Sequence, residues 1–182
     1  MIVVKVGGSL FDHPKLGPGL HDFLKSLAPA QVMLIAGGGE FVECIRELDE
    51  IHGLPDEATH IMALQAMTVS ATFLACIIDL PSFGKQVVIP DCFEFMREDL
   101  GSKESLPHSW DVTSDSIAAR MALACGAERL VLLKSIDVPA LTHWTEAAKN
   151  GWIDRHFPKI IVGKPISVEI LNFRRHLDSF PE

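Results

Sequence analysis

Apolar residues in this chain come in short unbroken blocks separated by longer stretches with helical spacing. Ile2–Val6, Val32–Ala36, Val87–Ile89 and Leu130–Leu133 are runs of Val, Ile and Leu bounded by Gly, Pro or charged residues. Runs this short, without alternation, read as strands buried on both faces, as in a parallel sheet. Between them the spacing predicts helices over Leu16–Leu27, Glu40–Glu50, Glu57–Ile78 and Ser114–Cys125, with short helical pieces over Phe93–Met96 and ending at Thr145–Lys149. Towards the C terminus, Ile160–Val162 reads as a further strand and Ser167–Leu177 as a closing helix. Strands alternating with helices predict an α/β fold, a three-layer αβα sandwich with a mostly parallel central sheet. One domain is expected over residues 1–182, and the irregular stretch Leu100–Asp111 is expected to be a mobile loop.

The stretch Ala58–Ile78 has no acidic residue, lysine or arginine over about the length of a bilayer span. Thr59, His60, Gln65, Thr68, Ser70 and Thr72 dilute it, and no basic residue lies close by to orient it. The expectation is a buried helix, in the core or against a second copy of the chain. Ala63, Ala66, Ser70 and Ala71 permit close helix approach, so a homodimer is expected and a membrane is not.

Composition narrows the partners. The formal net charge of −8 argues against nucleic acid, which demands clustered Lys and Arg, but leaves room for a small anionic ligand held by a few groups. Cys44, Cys76, Cys92 and Cys125 form no Cys-x-x-Cys pair, and the eight histidines show no His-x-x-x-His spacing. No metal site is expected, and buried thiols in a reducing cytoplasm are. The first apolar run is five residues long and contains a lysine, unlike a secretory signal.

Candidate chemistry falls where ligands bind in open parallel sheets, beyond the carboxyl ends of strands. Lys5 with Gly7-Gly8-Ser9 follows the first strand; Gly37-Gly38-Gly39-Glu40 follows the second. Thr113-Ser114-Asp115-Ser116 opens a helix. Glycine turns bring backbone amides close to an anion. Neither a P-loop nor a Gly-x-Gly-x-x-Gly fingerprint is present: Gly84-Lys85 and Gly163-Lys164 lack the earlier glycine and the hydroxyl, and Val42 stands where the third glycine is needed. Taken alone, Asp115 is equally a charge at the positive end of a helix dipole.

The order Lys-x-Gly-Gly-Ser, then Gly-Gly-Gly-Glu-Phe, then Ser-Asp-Ser-Ile-Ala-Ala, then Leu130–Val138 "LVLLKSIDV" resembles the amino acid kinase superfamily over Met1 to about Val138. Leu106–Ala119, "LPHSWDVTSDSIAA", and Gly151–Asp154, "GWID", are most similar to the short aminomethyl-furan phosphate kinases of methanofuran biosynthesis. The resemblance implies an ATP-dependent kinase that phosphorylates a small phosphomonoester. It implies Mg²⁺ carried by the nucleotide's phosphates rather than in a protein cage.

It also implies roles for residues. Lys5 would meet the transferring phosphoryl group and Asp115 would orient a lysine by ion pairing. Gly7, Gly8 and Ser9 would donate amides to the nucleotide phosphates. A second cation is left open among Lys15, Lys134 and Lys164, with Lys134 and Asp137 on the nucleotide side. Gly37, Gly38 and Gly39 would hold the acceptor phosphate, with Thr113 and Ser114 nearby. Asp111 or Asp154 would pair with an acceptor amine. Two alternatives stay open: a carboxylate acceptor, for which Arg46 is the one basic residue near the second glycine cluster, and a non-catalytic nucleotide or oxyanion binder. His60, Trp144 and Trp152 read as packing residues, and Glu43, Glu47, Asp49 and Glu50 as solvated surface.

Overall fold

The computed structural model describes residues 1–140 and 142–181. Five strands form one wholly parallel sheet: β1 (Ile2–Val6), β2 (Val32–Ala36), β3 (Val87–Val88), β4 (Arg129–Lys134) and β5 (Ser167–Asn172), in the order β3-β2-β1-β4-β5. Among the described residues eight α-helices connect and cover them: α1 (Leu16–Ser26), α2 (Gly39–His52), α3 (Asp56–Ile77), α4 (Cys92–Asp99), α5 (Ser114–Ala124), α6 (Trp144–Lys149), α7 (Phe157–Ile161) and α8 (Phe173–Asp178).

Strand pleating decides which layer each side chain joins. Val3, Ile35, Leu130 and Leu132 face a layer that includes Leu64, Met96, Ile117, Met121 and Phe157. Val4, Val6, Leu34, Val131 and Leu133 face the opposite layer, with Leu16, Leu20, Leu24, Phe173 and Leu177. Helix α3 serves both: Leu64 and Met67 join the first cluster, Leu74 the second. That double duty explains a helix apolar on nearly every side. Among the described residues it is the one helix long and apolar enough to cross a membrane. Its Thr59, His60, Leu64, Met67, Ser70 and Leu74 are buried, while Val69 is 52% exposed.

Two elements differ from the expectation. Ser167–Asn172 is a strand: it pairs residue by residue with β4, from Arg129 opposite Ser167 to Lys134 opposite Asn172. Its apolar positions also fit a helix, but an edge strand with a ready ladder gains more by pairing, and the Asn172 side chain then caps α8 by accepting from Arg175 N at 3.1 Å. Ile160–Val162 is not a strand. Its first two residues end α7, which starts where the Asp154 carboxylate accepts from Phe157 N at 2.8 Å and where Pro158 fits the first turn.

The segment 100–111 is anchored rather than free. Leu106 is buried, Trp110 Nε1 donates to Asp49 Oδ2 at 2.7 Å, and the His108 ring stacks on His60 with centroids 4.2 Å apart.

Candidate active site

Register places the central charges. Lys5 stands opposite Leu132, so Lys134 lies two positions further along β4, on the same sheet face. Helix α5 packs on that face and brings Asp115, in its first turn, between the two lysines. Lys5 Nζ lies 2.8 Å from Asp115 Oδ1, and Lys134 Nζ lies 2.5 Å from Asp115 Oδ2. Lys5 and Asp115 are 4% and 2% exposed and Lys134 is partly buried, so one buried carboxylate is shared by two ammoniums. The Lys5 contact is ionic without hydrogen-bond alignment, and Lys134 makes the aligned bond.

Burial alone would raise the Asp115 carboxyl, but the Lys5 and Lys134 ammoniums outweigh it and hold it at about 2. Burial pulls Lys5 below its ordinary value, with Asp115 offsetting part of the fall and Lys134 adding to it. A carboxyl depressed from 3.8 to about 2 stabilises the fold above 3.8, and that contribution is lost as pH falls through about 2. It amounts to about 2 kcal/mol. Chemical denaturation between pH 5 and 2 is therefore expected to show an acid-side loss in the parent that Asp115→Asn lacks; equal slopes would show that the triad is not ionised.

The two glycine turns pack against each other above the triad. A Cβ on Gly8 would stand 2.1 Å from Gly39 N, and one on Gly37 would stand 2.6 Å from Gly8 N. Here glycine is required by backbone contact as well as by any ligand. The expectation that every amide of these turns is free for phosphate needs correction at Gly7 and Gly37. Gly7 N donates to Leu133 O and Gly37 N to Val6 O, each at 2.8 Å, so both extend the sheet ladder.

Gly8, Ser9, Gly38 and Gly39 instead line a cavity of about 280 Å³, together with Thr113 and Ser114. Its far walls are Val42, Ala63, Leu64, Met67, Val112 and Ile117, with Glu40, Glu43, Arg46, His60 and Trp110 as the remaining lining. The size is at the lower end for small-molecule sites.

His60 is 8% exposed and its Nε2 has no hydrogen-bond partner. Burial, then the stacked His108, lowers its pKa to about 4, so the ring is neutral near pH 7. The packing role expected of it leaves that nitrogen unsatisfied. Arg46 lies over the Trp110 ring at 4.3 Å and 3.3 Å from Glu43, so the arginine is already engaged. In the sequence Trp110 stood only within the run that carries the resemblance, and His60 read as a packing residue.

The other candidate residues divide. Ser9 Oγ meets Ser135 Oγ at 2.8 Å, and Arg174 holds both the Ser9 carbonyl and Asp12. Asp137 pairs with Arg175 at 2.6 Å on the same side. Lys15 Nζ instead donates to Phe180 O at 2.7 Å. Lys164 precedes β5, at the opposite end of the sheet, in a hollow with Lys103, Arg120 and Lys159. Neither reaches Asp115, whereas Lys134 does.

Asp111 is exposed and lies 3.6 Å from Arg155. Asp154 accepts from Thr113 N and Oγ1, Ser116 N and Oγ, His156 N and Phe157 N, all within 3.1 Å. Its lone pairs are filled by the first turns of α5 and α7, which leaves no place for a substrate amine.

The sheet, its flanking helices and a lysine–carboxylate–lysine triad beneath two glycine turns define the class: this is the amino acid kinase fold. Solved structures of several kinases share it. Uridylate kinase from Archaeoglobus fulgidus superposes with a TM-score of 0.64 at 18% identity, covering 98% of this chain and 96% of that one. Aspartate kinase from Synechocystis gives 0.64 at 15% identity, covering 93% of this chain and 38% of that one. In sequence the chain is similar to [5-(aminomethyl)furan-3-yl]methyl phosphate kinase of Methanocaldococcus jannaschii, 24% identical over 145 residues, which is 75% of this chain and 67% of that protein. No protein-family model matches the chain. The relatives named here are all kinases, that is, phosphotransferases.

Proposed function

We propose that this protein is an ATP-dependent kinase of the cytoplasm that transfers the γ-phosphoryl group to a small phosphomonoester. The observation that carries the reading is the Lys5–Asp115–Lys134 triad directly under the two glycine turns. Phosphoryl transfer runs through a loose transition state and needs placement and positive charge more than a base. An oxygen of the acceptor phosphate attacks the γ-phosphorus, the bond to the β,γ-bridging oxygen breaks, and ADP leaves. The attacking oxygen is already deprotonated, so no residue has to take a proton.

In this arrangement Lys5 and Lys134 neutralise the transferring group and Asp115 holds them at the right spacing. Gly8 and Ser9 cradle the donor phosphates, while Gly38 and Gly39 receive the acceptor phosphate. Among the described residues no group of three or more His, Cys, Asp or Glu side chains gathers, and Asp115 is committed to the lysines. Mg²⁺ in this reading travels with the nucleotide, held by phosphate and water. The engagement of Arg46 by Trp110 and Glu43 favours a phosphomonoester over a carboxylate acceptor. Similarity to the Methanocaldococcus jannaschii enzyme supports an aminomethyl-furan phosphate, and with it a place in methanofuran-type cofactor synthesis.

ADP release should be measured with aminomethyl-furan phosphate, glutamate, aspartate and UMP. Turnover confined to the furan phosphate is expected; preference for another acceptor removes the substrate assignment, and no ADP with any of them removes the kinase reading.

A homodimer is part of the same reading. Phe41, Leu48 and Ile51 on α2 are 47%, 44% and 72% exposed, alongside Val69 on α3. A monomer by light scattering at micromolar concentration would remove it.

A further inference from the structure

We propose that Trp110 sets the size of the acceptor: its indole is the end wall of the acceptor chamber, which admits a phosphomonoester with one small ring and excludes a nucleoside monophosphate. The inference rests on the kinase reading above and names the residue that fixes the limit. Two cavities adjoin here. The chamber of about 280 Å³ lined by Gly38 and Gly39 and a neighbouring cleft of about 690 Å³ share three lining residues, Arg46, Trp110 and Thr113. Trp110 is the largest of the three, and its half-buried ring stands on the boundary between them.

Helix α2 gives the length of the chamber. It starts at Gly39, and Glu40, Glu43 and Arg46, spaced three apart along one side of it, line the same cavity. From Gly39 to Arg46 the helix rises roughly 10 Å. A phosphate seated at the glycine turn therefore has its organic part between that turn and the Arg46–Trp110 pair, with room for a single small ring. The wall is held from two sides. Trp110 Nε1 donates to Asp49 Oδ2 at 2.7 Å, and the Arg46 guanidinium lies 4.3 Å from the ring centroid. Asp49 is fixed in turn, because its other oxygen accepts from Leu54 N at 2.9 Å. Asp49 and Arg46 both belong to α2, the helix that would carry the acceptor phosphate at its start. A wall tied to the phosphate-binding element measures length from the phosphate, and a larger ligand can move it only by breaking both contacts. Past the wall, the cleft offers Thr145, Lys149 and Arg155, polar groups that can receive a sugar and base once the indole is gone. Trp110 also fastens the segment 100–111 to α2. That structural role predicts lower thermal stability and equal losses for every acceptor, so the two roles separate by measurement.

The test uses the full chain with two small acceptors, aminomethyl-furan phosphate and the matching methyl-furan phosphate, and one large one, UMP. Two quantities are read: kcat/KM for ADP release, and binding of each compound without nucleotide by calorimetry. The parent is expected to discriminate against UMP in both. Trp110→Ala should raise both UMP values about tenfold or more while raising neither furan compound. Trp110→Phe keeps most of the wall without the N–H and should stay close to the parent. If Trp110→Ala is unfolded by circular dichroism, Trp110→Leu is judged by the same criterion. A parent that takes UMP as readily as the furan compounds, no gain for UMP in the folded small-residue variant, equal changes for all three compounds, or an equal gain in Trp110→Phe overturns the inference while the kinase reading stands. If no ADP forms with any compound the kinase reading fails, and calorimetry still decides whether Trp110 excludes UMP.

Discussion

Replacing Lys5 with alanine is expected to slow phosphoryl transfer by about 10²–10³-fold at saturating ATP and acceptor, because it removes a preorganised charge from the transition state. Lys134→Ala should cost a similar factor, since the two ammoniums flank one carboxylate. Lys15→Ala and Lys164→Ala should stay within about threefold, given that Lys15 is tied to the Phe180 carbonyl and Lys164 lies at the other end of the sheet. Lys5→Ala leaves Asp115 with Lys134, so the variant is expected to fold, which circular dichroism would check. Parent-like turnover by folded Lys5→Ala would defeat the assignment of the triad. A loss in Lys15→Ala equal to that in Lys134→Ala would show that the second cation had been misplaced.

The largest expected effect on stability lies at Asp154. Its carboxylate accepts six hydrogen bonds and is 9% exposed. Asp154→Ala strands several donors in the first turns of two helices, at a cost of about 3 kcal/mol or more. For a chain of this length that corresponds to a fall of roughly 6–12 °C in Tm. Asp154→Asn retains an acceptor oxygen and should lose less. The reading of Asp154 as a substrate contact makes the opposite forecast: little change in Tm and a selective loss of amine-bearing acceptor. Differential scanning calorimetry beside the two furan compounds distinguishes these.

Much of the fold was legible where the chain left few choices. β1, β2 and β4 are continuous Val/Ile/Leu runs buried on both faces, which fit little else. β5 was not legible, because an edge strand is half covered and Val168, Ile170 and Leu171 satisfy a helical spacing as well as a strand's. α7 hid behind an apolar triplet; its signals were Asp154 three residues ahead of Phe157 and a proline at the first turn.

The site divided in the same way. Lys5, Asp115 and the glycine turns could be picked out as motifs, since each occupies a strand or helix end. Choosing Lys134 over Lys15 required the pairing of β1 with β4, which no local pattern carries. His60, Trp110 and Glu40 meet only because the segment after α4 folds back over the α2–α3 hairpin.

The strand order has a consequence for how such a protein can change. β1 is the strand from which the chain winds outward in both directions, first through β2 to β3 and later through β4 to β5. In the proposed reading the two reactants therefore draw on different stretches of sequence. Residues 38–67 furnish most of the acceptor chamber, whereas the second lysine and the serine, aspartate and arginines around Ser9 come from residues 134–175. Only β1 with its turn, and the start of α5, belong to both. On that reading, substitutions in the α2–α3 hairpin would retune which small molecule is accepted without touching the residues proposed to grip the nucleotide. On that reading one scaffold could acquire new acceptors by altering a single contiguous stretch of about a sixth of the polypeptide.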